Sequence, residues 1–137
     1  MAEKLVQSLA KRGCITILDN SKISDLALLL TLNNIGAVIV VNKKNKPIGM
    51  VSERDIIRNF NKNVLDVKNI MTSKIISCDL SISSTELLEI MNKNKVRHVP
   101  IINKGLLLGI VSIGDVVKRL IETYENENMN LKNFINS

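Results

Sequence analysis

The sequence predicts an α/β (α+β) fold in which two β-α-β-β-α repeats pack around a pseudo-twofold axis. Residues 49–58 (GMVSERDIIR) align with residues 109–118 (GIVSIGDVVK) at a constant offset of 60 positions. Upstream, the apolar run at 35–41 aligns with 96–102 at an offset of 61. A chain of 137 residues has room for one domain or one pair of small repeats. One unit of ~50 residues hardly buries its strand faces alone, whereas two units bury them against each other.

The first half of the chain divides into a leading helix and the first repeat. Residues 1–13 are predicted to form the helix, because Leu5, Val6 and Leu9 recur on one side of it. Residues 14–60 form the first repeat, in which turn residues separate β-branched runs from apolar-periodic segments. Its predicted elements are a strand at 15–18, a helix at 23–33, a hairpin of strands at 37–41 and 48–51, and a helix at 53–60.

The second half repeats this order after a linker at residues 61–72. Residues 73–124 form the second repeat, and Ser83-x-x-Glu86 is a capping-box pattern at the start of its first helix. Its predicted elements are a strand at 75–78, a helix at 83–93, a hairpin of strands at 98–102 and 107–111, and a helix at 113–124. The polar tail at 125–137 is predicted to be either frayed or a short helix that docks on a partner.

A Gly-x-x-Ser-x-x-Asp element stands in both repeats where a strand enters a helix. The helix N-terminus has free N–H groups and a partial positive charge, which suits phosphate, and the motif's glycine lets a ligand or backbone come close. Ser52 and Ser112 can donate to phosphate, and Asp55 and Asp115 can accept from two adjacent ribose hydroxyls. The same residues also make a standard helix cap. The two interpretations are compatible, and both stay open.

Basic residues flank the same elements. Arg97 and His98 precede the second β-branched run, where two cations beside a strand mouth can hold phosphate. The alternative is a solvated strand edge. Arg54, inside the motif of the first repeat, either reaches a similar anion or is a surface residue at a helix start. Thr16 and Ser77 occupy the first strand of each repeat and on their own indicate nothing.

Several function classes find no support in the sequence. No apolar run approaches the ~18 residues of a membrane span, and no signal-peptide pattern is present, so we expect a cytoplasmic protein without membrane contact. Cys14 and Cys78 lie 64 positions apart without a Cys-x-x-Cys, which favours two buried free thiols. His98 is the only histidine, which excludes a multi-histidine metal site. No P-loop, Gly-x-Gly-x-x-Gly or nucleophile near His98 is present, so we predict no enzyme activity and no catalytic residue, metal or catalytic cofactor.

Together these motifs resemble the cystathionine-β-synthase (CBS) domain, here present twice as a CBS pair, or Bateman module. The resemblance covers nearly the whole chain except the tail and rests on residues 49–58, 94–102 (NKVRHVPII), 109–117 (GIVSIGDVV) and the 69–72 linker (NIMT). It implies a module that binds adenosine-containing ligands, such as AMP, ADP, ATP or S-adenosylmethionine, and senses energy or metabolite levels. It also implies a disc-shaped homodimer.

The resemblance further implies two composite clefts, in which the ribose meets the motif aspartate, adenine lies on aliphatic strand residues and phosphates meet serine and basic residues. One cleft would join Thr16, Ala37 and Val38 to Arg97, His98, Ser112 and Asp115. The other would join Ser77, Val99 and Pro100 to Ser52, Arg54 and Asp55. We rank the Asp115 cleft first because it has Arg97 and His98. The sequence departs from the family pattern at two places, namely Gly114 beside Asp115 and Gly36-Ala37 in place of a basic pair, so each cleft has only part of the basic residues.

We therefore predict a non-catalytic regulatory module that binds an adenosine-containing ligand, forms a homodimer and signals to a protein in trans. The repeats use almost all of the chain, so we expect the regulated activity on another polypeptide. Two alternatives remain: a structural dimerisation module with empty clefts, and a weak nucleic-acid binder. The net charge of +6 supports nucleic-acid binding, but the basic residues are scattered and aromatic residues make up only 2% of the chain.

Overall fold

The structure, a computed structural model, describes residues 3–136, with side chains described as far as residue 129. Residues 1, 2 and 137, which belong to the predicted leading helix and tail, lie outside the described residues. The helices are α1 (Leu5–Arg12), α2 (Ile23–Asn33), α3 (Glu53–Arg58), α4 (Ser84–Asn94) and α5 (Ile113–Asn136), with a 3₁₀ turn at Val67–Asn69. The strands are β1 (Thr16–Leu18), β2 (Ala37–Val41), β3 (Pro47–Ser52), β4 (His98–Asn103) and β5 (Leu106–Ser112). The predicted α+β class is confirmed.

The two repeats carry sheets of different size. In the first repeat, β1 pairs in parallel with β2, Thr16 opposite Ile39, and β2 pairs antiparallel with β3. In the second repeat only the antiparallel pair β4–β5 forms a sheet. Both hairpins were expected from the alternation of β-branched runs and turns.

The strand predicted at 75–78 is wrong. Only Cys78 reaches the sheet, through an isolated parallel bridge to Ile101. Immediately afterwards Asp79 Oδ1 accepts hydrogen bonds from Ser81 N at 2.8 Å and Ser81 Oγ at 2.6 Å. This local turn directs the chain away after Cys78. On the other side of the bridge, the next ladder bond toward residue 76 would need a backbone N–H from Pro100, which proline lacks.

The last helix is much longer than predicted. We expected it to end at residue 124, with a separate tail, but α5 continues to Asn136 over 24 residues. After Gly114 the segment contains neither glycine nor proline, so no residue type forces an end to the helix. No helix among the described residues combines the length and apolarity needed to cross a bilayer.

The hydrophobic core is split into one cluster for each repeat, and the segments that precede the repeats are exchanged between them. Leu5, Val6 and Leu9 of α1 are buried in the cluster of the second repeat. Val67 and Ile70 of the linker are buried in the cluster of the first repeat. Each leading segment therefore packs on the repeat that it does not directly precede.

Two glycines make this exchange sterically possible. A Cβ on Gly49 would lie 2.7 Å from Met71 Sδ and 2.9 Å from the Thr72 carbonyl oxygen. A Cβ on Gly109 would lie 3.2 Å from the carbonyl oxygen of Leu9. The glycine of each Gly-x-x-Ser-x-x-Asp element is thus approached by backbone, which is one of the two uses that the sequence allowed.

Candidate functional site

The candidate site is a cavity of about 540 Å³ between the two repeats, called the inter-repeat cavity below. The first repeat and the end of α1 contribute residues that precede β1 and β2, and the second repeat contributes β4, β5 and the start of α5. The lining residues are Arg12, Gly13, Cys14, Ile15, Asn34, Ile35, Gly36, Ala37, His98, Ile110, Ser112 and Asp115. Aliphatic side chains and a small set of polar groups therefore face one space.

Ser112 and Asp115 are fixed against each other at the start of α5. Ser112 N donates to Asp115 Oδ2 at 2.9 Å, and Asp115 N donates to Ser112 Oγ at 3.1 Å. The predicted helix cap is confirmed here. Among the described residues no hydrogen bond is directed at Asp115 Oδ1, so this half-buried carboxylate keeps an acceptor for a ligand hydroxyl.

His98 lies at the start of β4, opposite Ser112 in the ladder, and is half-buried against the first repeat. A Cβ on Gly36 would lie 3.8 Å from His98 Cε1 and 3.6 Å from Glu53 Oε1, which shows how closely the repeats meet there. Burial lowers the pKa of His98, although the carboxylates of Asp115 and Glu53 oppose this effect. A lowered pKa favours a neutral imidazole at pH 7, which both donates and accepts hydrogen bonds.

The structure brings together four of the seven residues predicted for the first cleft: Ala37, His98, Ser112 and Asp115. Val38 is buried in the core of the first repeat, because successive strand residues point to opposite faces. Thr16 lines a neighbouring groove, and Arg97 borders a separate cavity. Their roles in ligand binding stay predictions.

The structure does not bring the second predicted cleft together. Ser52 and Asp55 form the same reciprocal cap as in the second repeat, with Ser52 N donating to Asp55 Oδ2 at 2.8 Å. Among the described residues, Ser52 and Asp55 line none of the cavities described here. Val99 and Pro100 are buried, and Ser77 borders a cavity beside Asp79.

The linker backbone lies close to these residues. Thr72 N donates to Met50 O at 2.8 Å and Met50 N donates to Thr72 O at 2.9 Å, so linker backbone occupies the edge of β3 next to Ser52. Among the described residues, Asp115 therefore lines a cavity between the repeats, whereas Asp55 lines none of the cavities described here.

Two arginines that the sequence placed in different clefts border one further cavity, of about 710 Å³. Arg54 comes from the start of α3, and Arg97 immediately precedes β4. Lys95 adds a third positive charge and Glu89 a negative one, and all four residues are exposed. This space is cationic but lacks a motif aspartate.

Sequence reasoning missed the side of the inter-repeat cavity that precedes β1 and β2. Gly13, with φ +80°, follows α1, and Asn34, in the left-handed region, ends α2. Such residues terminate helices and turn the chain into the next strand. Ligands often bind at the ends of strands. The two helix ends, each followed by a strand, could therefore have indicated that residues 12–15 and 34–36 line the cavity.

Comparisons with known proteins give a consistent result. The sequence pattern described as CBS domain matches residues 6–62 and again residues 67–122. An uncharacterised 17.7 kDa protein of Acidianus ambivalens is 32% identical over 127 residues, which cover 90% of this chain and 77% of that protein.

Two similar solved structures contain ligands. A CBS domain protein from Pyrobaculum aerophilum complexed with AMP has a TM-score of 0.71 at 27% identity, over 78% of this chain and 88% of that chain. The CBS domain pair of protein MJ0100, in complex with 5′-methylthioadenosine and S-adenosyl-L-methionine, has a TM-score of 0.74 at 25% identity, over 80% and 92%.

Proposed function

This chain belongs to the CBS domain family, and from that membership we propose that it is a non-catalytic regulatory module whose inter-repeat cavity binds an adenosine-containing ligand. The observation that carries the proposal is the placement of Asp115, Ser112 and His98 in one cavity of about 540 Å³. This volume lies within the range of ~300–1,000 Å³ typical of small-molecule sites.

The lining residues support each part of such a ligand. Asp115 Oδ1 is available to accept from the ribose hydroxyls, and the neutral imidazole of His98 and the Ser112 hydroxyl suit a phosphate or another polar substituent. Ile35, Ala37 and Ile110 offer aliphatic surface to adenine, together with other residues of the cavity. Stacking on an aromatic ring is not needed for this arrangement.

The ligand class is also supported by the relatives. The P. aerophilum protein is complexed with AMP, and the MJ0100 pair with 5′-methylthioadenosine and S-adenosyl-L-methionine. These compounds share adenosine and differ at the 5′ substituent, so adenosine is the part that we assign to this cavity. Among them, AMP is the first compound to test.

We infer that the signal passes through α5 to a partner in trans. Asp115 lies in the first turn of α5, so a ligand held by its carboxylate contacts the start of a 24-residue helix. A ligand that binds one arrangement of the repeats more tightly shifts the population toward that arrangement. The partner would read this shift.

We also propose that the module forms a homodimer through its helices. Helices of both repeats carry exposed apolar side chains, including Leu28, Leu32, Ile57, Val117, Ile121 and Tyr124. Where such side chains form one patch, the patch marks an interaction site. A second copy offers the same apolar surface, as a twofold interface requires.

The test of the function is a thermal-shift series with AMP, ADP, ATP, S-adenosylmethionine and a short oligonucleotide. A ligand at 100 times its dissociation constant stabilises the folded state by about 2.7 kcal/mol. An upward shift with at least one adenosine compound is expected. The absence of any such shift at millimolar concentration would reject the sensor and favour the dimerisation module, which the capping role of Ser112 and Asp115 already accommodates.

A further inference from the structure

The turns of the two hairpins lie side by side and line a common groove of about 500 Å³, called the tip groove below. One side comes from the β2–β3 turn and the other from the β4–β5 turn, with the segment before β1 between them. The lining residues are Gly13, Cys14, Thr16, Val41, Lys44, Asn45, Lys46, Pro47, Gly105, Leu106, Leu107 and Leu108. Apart from Gly13 and Cys14, none of these residues lines the inter-repeat cavity.

The two turns concentrate positive charge. Lys43, Lys44 and Lys46 belong to the β2–β3 turn and Lys104 to the β4–β5 turn, and all four are exposed. Within the described part of the chain none of them forms an ion pair. One carboxylate, Asp19, is held at the base of the first hairpin, where its N–H donates to Val41 O, so positive charge remains in excess.

Both turns hold their lysines on a fixed backbone. Asn42 Oδ1 accepts from Lys44 N at 3.0 Å and from Lys46 N at 2.9 Å. In the other turn, Lys104 and Gly105 both have positive φ, at 52° and 78°, as in a two-residue hairpin turn of type I′. A turn backbone that is already ordered before binding reduces the entropy lost when a partner docks, although the lysine side chains still have to be ordered.

The tip groove is also lined by apolar side chains. Leu106 is 66% exposed, and Val41 and Pro47 line the groove on the opposite side. A single exposed leucine is ordinary, but here it lies in a concave surface rimmed by lysines. From this combination we propose that the tip groove docks an acidic segment of a partner protein, with carboxylates on the lysines and an apolar side chain on Leu106.

The same observations argue against nucleic acid as the occupant. The tip groove contains neither an arginine nor an aromatic residue, whereas nucleic-acid sites rely on forked guanidinium contacts and base stacking. Leu106 gains no stabilising contact from a phosphate backbone, whereas an apolar side chain that packs on it buries apolar area.

The tip groove shares Gly13 and Cys14 with the inter-repeat cavity. A partner in the tip groove would therefore contact the segment that also faces the ligand. This coupling rests on the proposed function, but docking of an acidic segment does not.

The experiment uses the full chain and a short fluorescein-labelled peptide of glutamate with interspersed leucines, at physiological ionic strength. Lys44→Glu with Lys46→Glu is expected to weaken peptide binding by about tenfold or more. The control variant, Lys62→Glu with Lys93→Glu, changes the net charge by the same amount at exposed positions outside the groove. It is expected to weaken peptide binding by less than about threefold. Leu106→Ser, which keeps all charges, is expected to weaken binding as well.

Three results would overturn the proposal. The peptide fails to bind, both lysine pairs weaken binding equally, or an oligothymidylate binds the same lysines more tightly than the peptide does. The unlabelled peptide serves as competitor, and thermal melting of each variant confirms that it is folded. Because the peptide is measured without AMP, its failure is distinguishable from failure of the thermal-shift series. A change in peptide affinity on adding AMP supports the coupling, and an unchanged affinity with AMP bound contradicts it.

Discussion

Gly49 and Met71 approach so closely that a Cβ on the glycine would lie 2.7 Å from the methionine sulfur. The methionine can move, but the Thr72 carbonyl oxygen at 2.9 Å belongs to backbone that is bridged to Met50. Overpacking of this kind costs about 1–3 kcal/mol. We therefore expect Gly49→Ala to lower the free energy of unfolding by about this amount, measured by urea denaturation.

Gly114→Ala is the matched control. A Cβ there would lie 3.6 Å from Ser112 Oγ, an ordinary contact, and the position is helical. Alanine is favoured over glycine in helices by up to ~1 kcal/mol, so this variant should be as stable as the wild type or more stable. Equal losses in the two variants would contradict the packing argument.

Asp115→Ala should weaken AMP binding by about tenfold or more, a loss typical of a hydrogen bond to a charged group. Asp55→Ala should leave it within about threefold, because Asp55 lies outside the inter-repeat cavity. Both variants lose the same reciprocal cap, so they should lose similar stability, about 1 kcal/mol. Isothermal titration calorimetry measures the affinities. Equal or reversed effects would overturn our ranking of the clefts.

Labelling of the two cysteines by N-ethylmaleimide should report on the ligand's position. Burial raises the pKa of both thiols, and burial together with Asp79 raises the pKa of Cys78 to about 11. Cys14 lines the inter-repeat cavity and is partly exposed, whereas Cys78 is buried. AMP at 100 times its dissociation constant should slow labelling of Cys14, since roughly 1% of the cavity stays free, although the thiol also borders the tip groove.

Cys78 provides the internal control for this measurement, because its labelling should not respond to the ligand. Mass spectrometry of the labelled peptides separates the two rates. An unchanged rate at Cys14 with AMP bound would place the ligand elsewhere.

Stability should fall as the pH is lowered from 7.5 to 5.5, in part because of His98. Burial lowers the pKa of His98 in the folded state below its ordinary 6.5. At pH values between the folded and the unfolded pKa of His98, the unfolded chain binds more protons than the folded chain. The contribution of His98 to stability is therefore complete above about pH 6.5 and is lost as the pH falls through the folded pKa. His98→Gln should show a smaller decrease over this range, measured by urea denaturation. A steeper decrease in the variant would contradict this assignment.

The proposed homodimer predicts that charge on the helical surface produces monomers. Leu32 is 74% exposed on α2, and Phe60, which follows α3, is 82% exposed. Leu32→Glu with Phe60→Glu should convert the dimer to monomer in analytical ultracentrifugation, because an interface cannot bury unpaired carboxylates cheaply. Leu106→Glu, at a leucine of the tip groove that is 66% exposed, should remain dimeric. A dimer in both cases, or a monomeric wild type, would reject the interface.

The sequence predicted the repeats and most elements because their causes are local. Alternating β-branched runs, turn residues and capping patterns such as Ser83-x-x-Glu86 act within a few positions, and Ser83 and Glu86 do exchange both hydrogen bonds of the cap. Asp115 and His98 were placed together on the strength of the family resemblance, and the structure does put both in one cavity.

What could not be predicted depends on contacts between distant segments. The 75–78 strand is limited to one bridge because Pro100 on the neighbouring strand has no N–H for the preceding ladder bond, and local β-propensity at 75–78 does not reveal that partner. Ser52 and Asp55 share no described cavity with Ser77, and the linker backbone pairs with Met50, a pairing that no periodicity indicates. Likewise, no local pattern shows which repeat the leading helix will join.

The exchange of α1 and the linker between the two cores also determines how this molecule can be assembled. The core of the second repeat lacks Leu5, Val6 and Leu9 until the first segment of the chain docks on it. The core of the first repeat lacks Val67 and Ile70 until the linker has followed it. The contacts of α1 with the second core join distant parts of the chain, and contacts of such large sequence separation carry a high loop-closure cost and slow folding. The buried residues of the first core all lie between Ile17 and Ile70, so it is the second repeat that depends on a distant segment to complete its core.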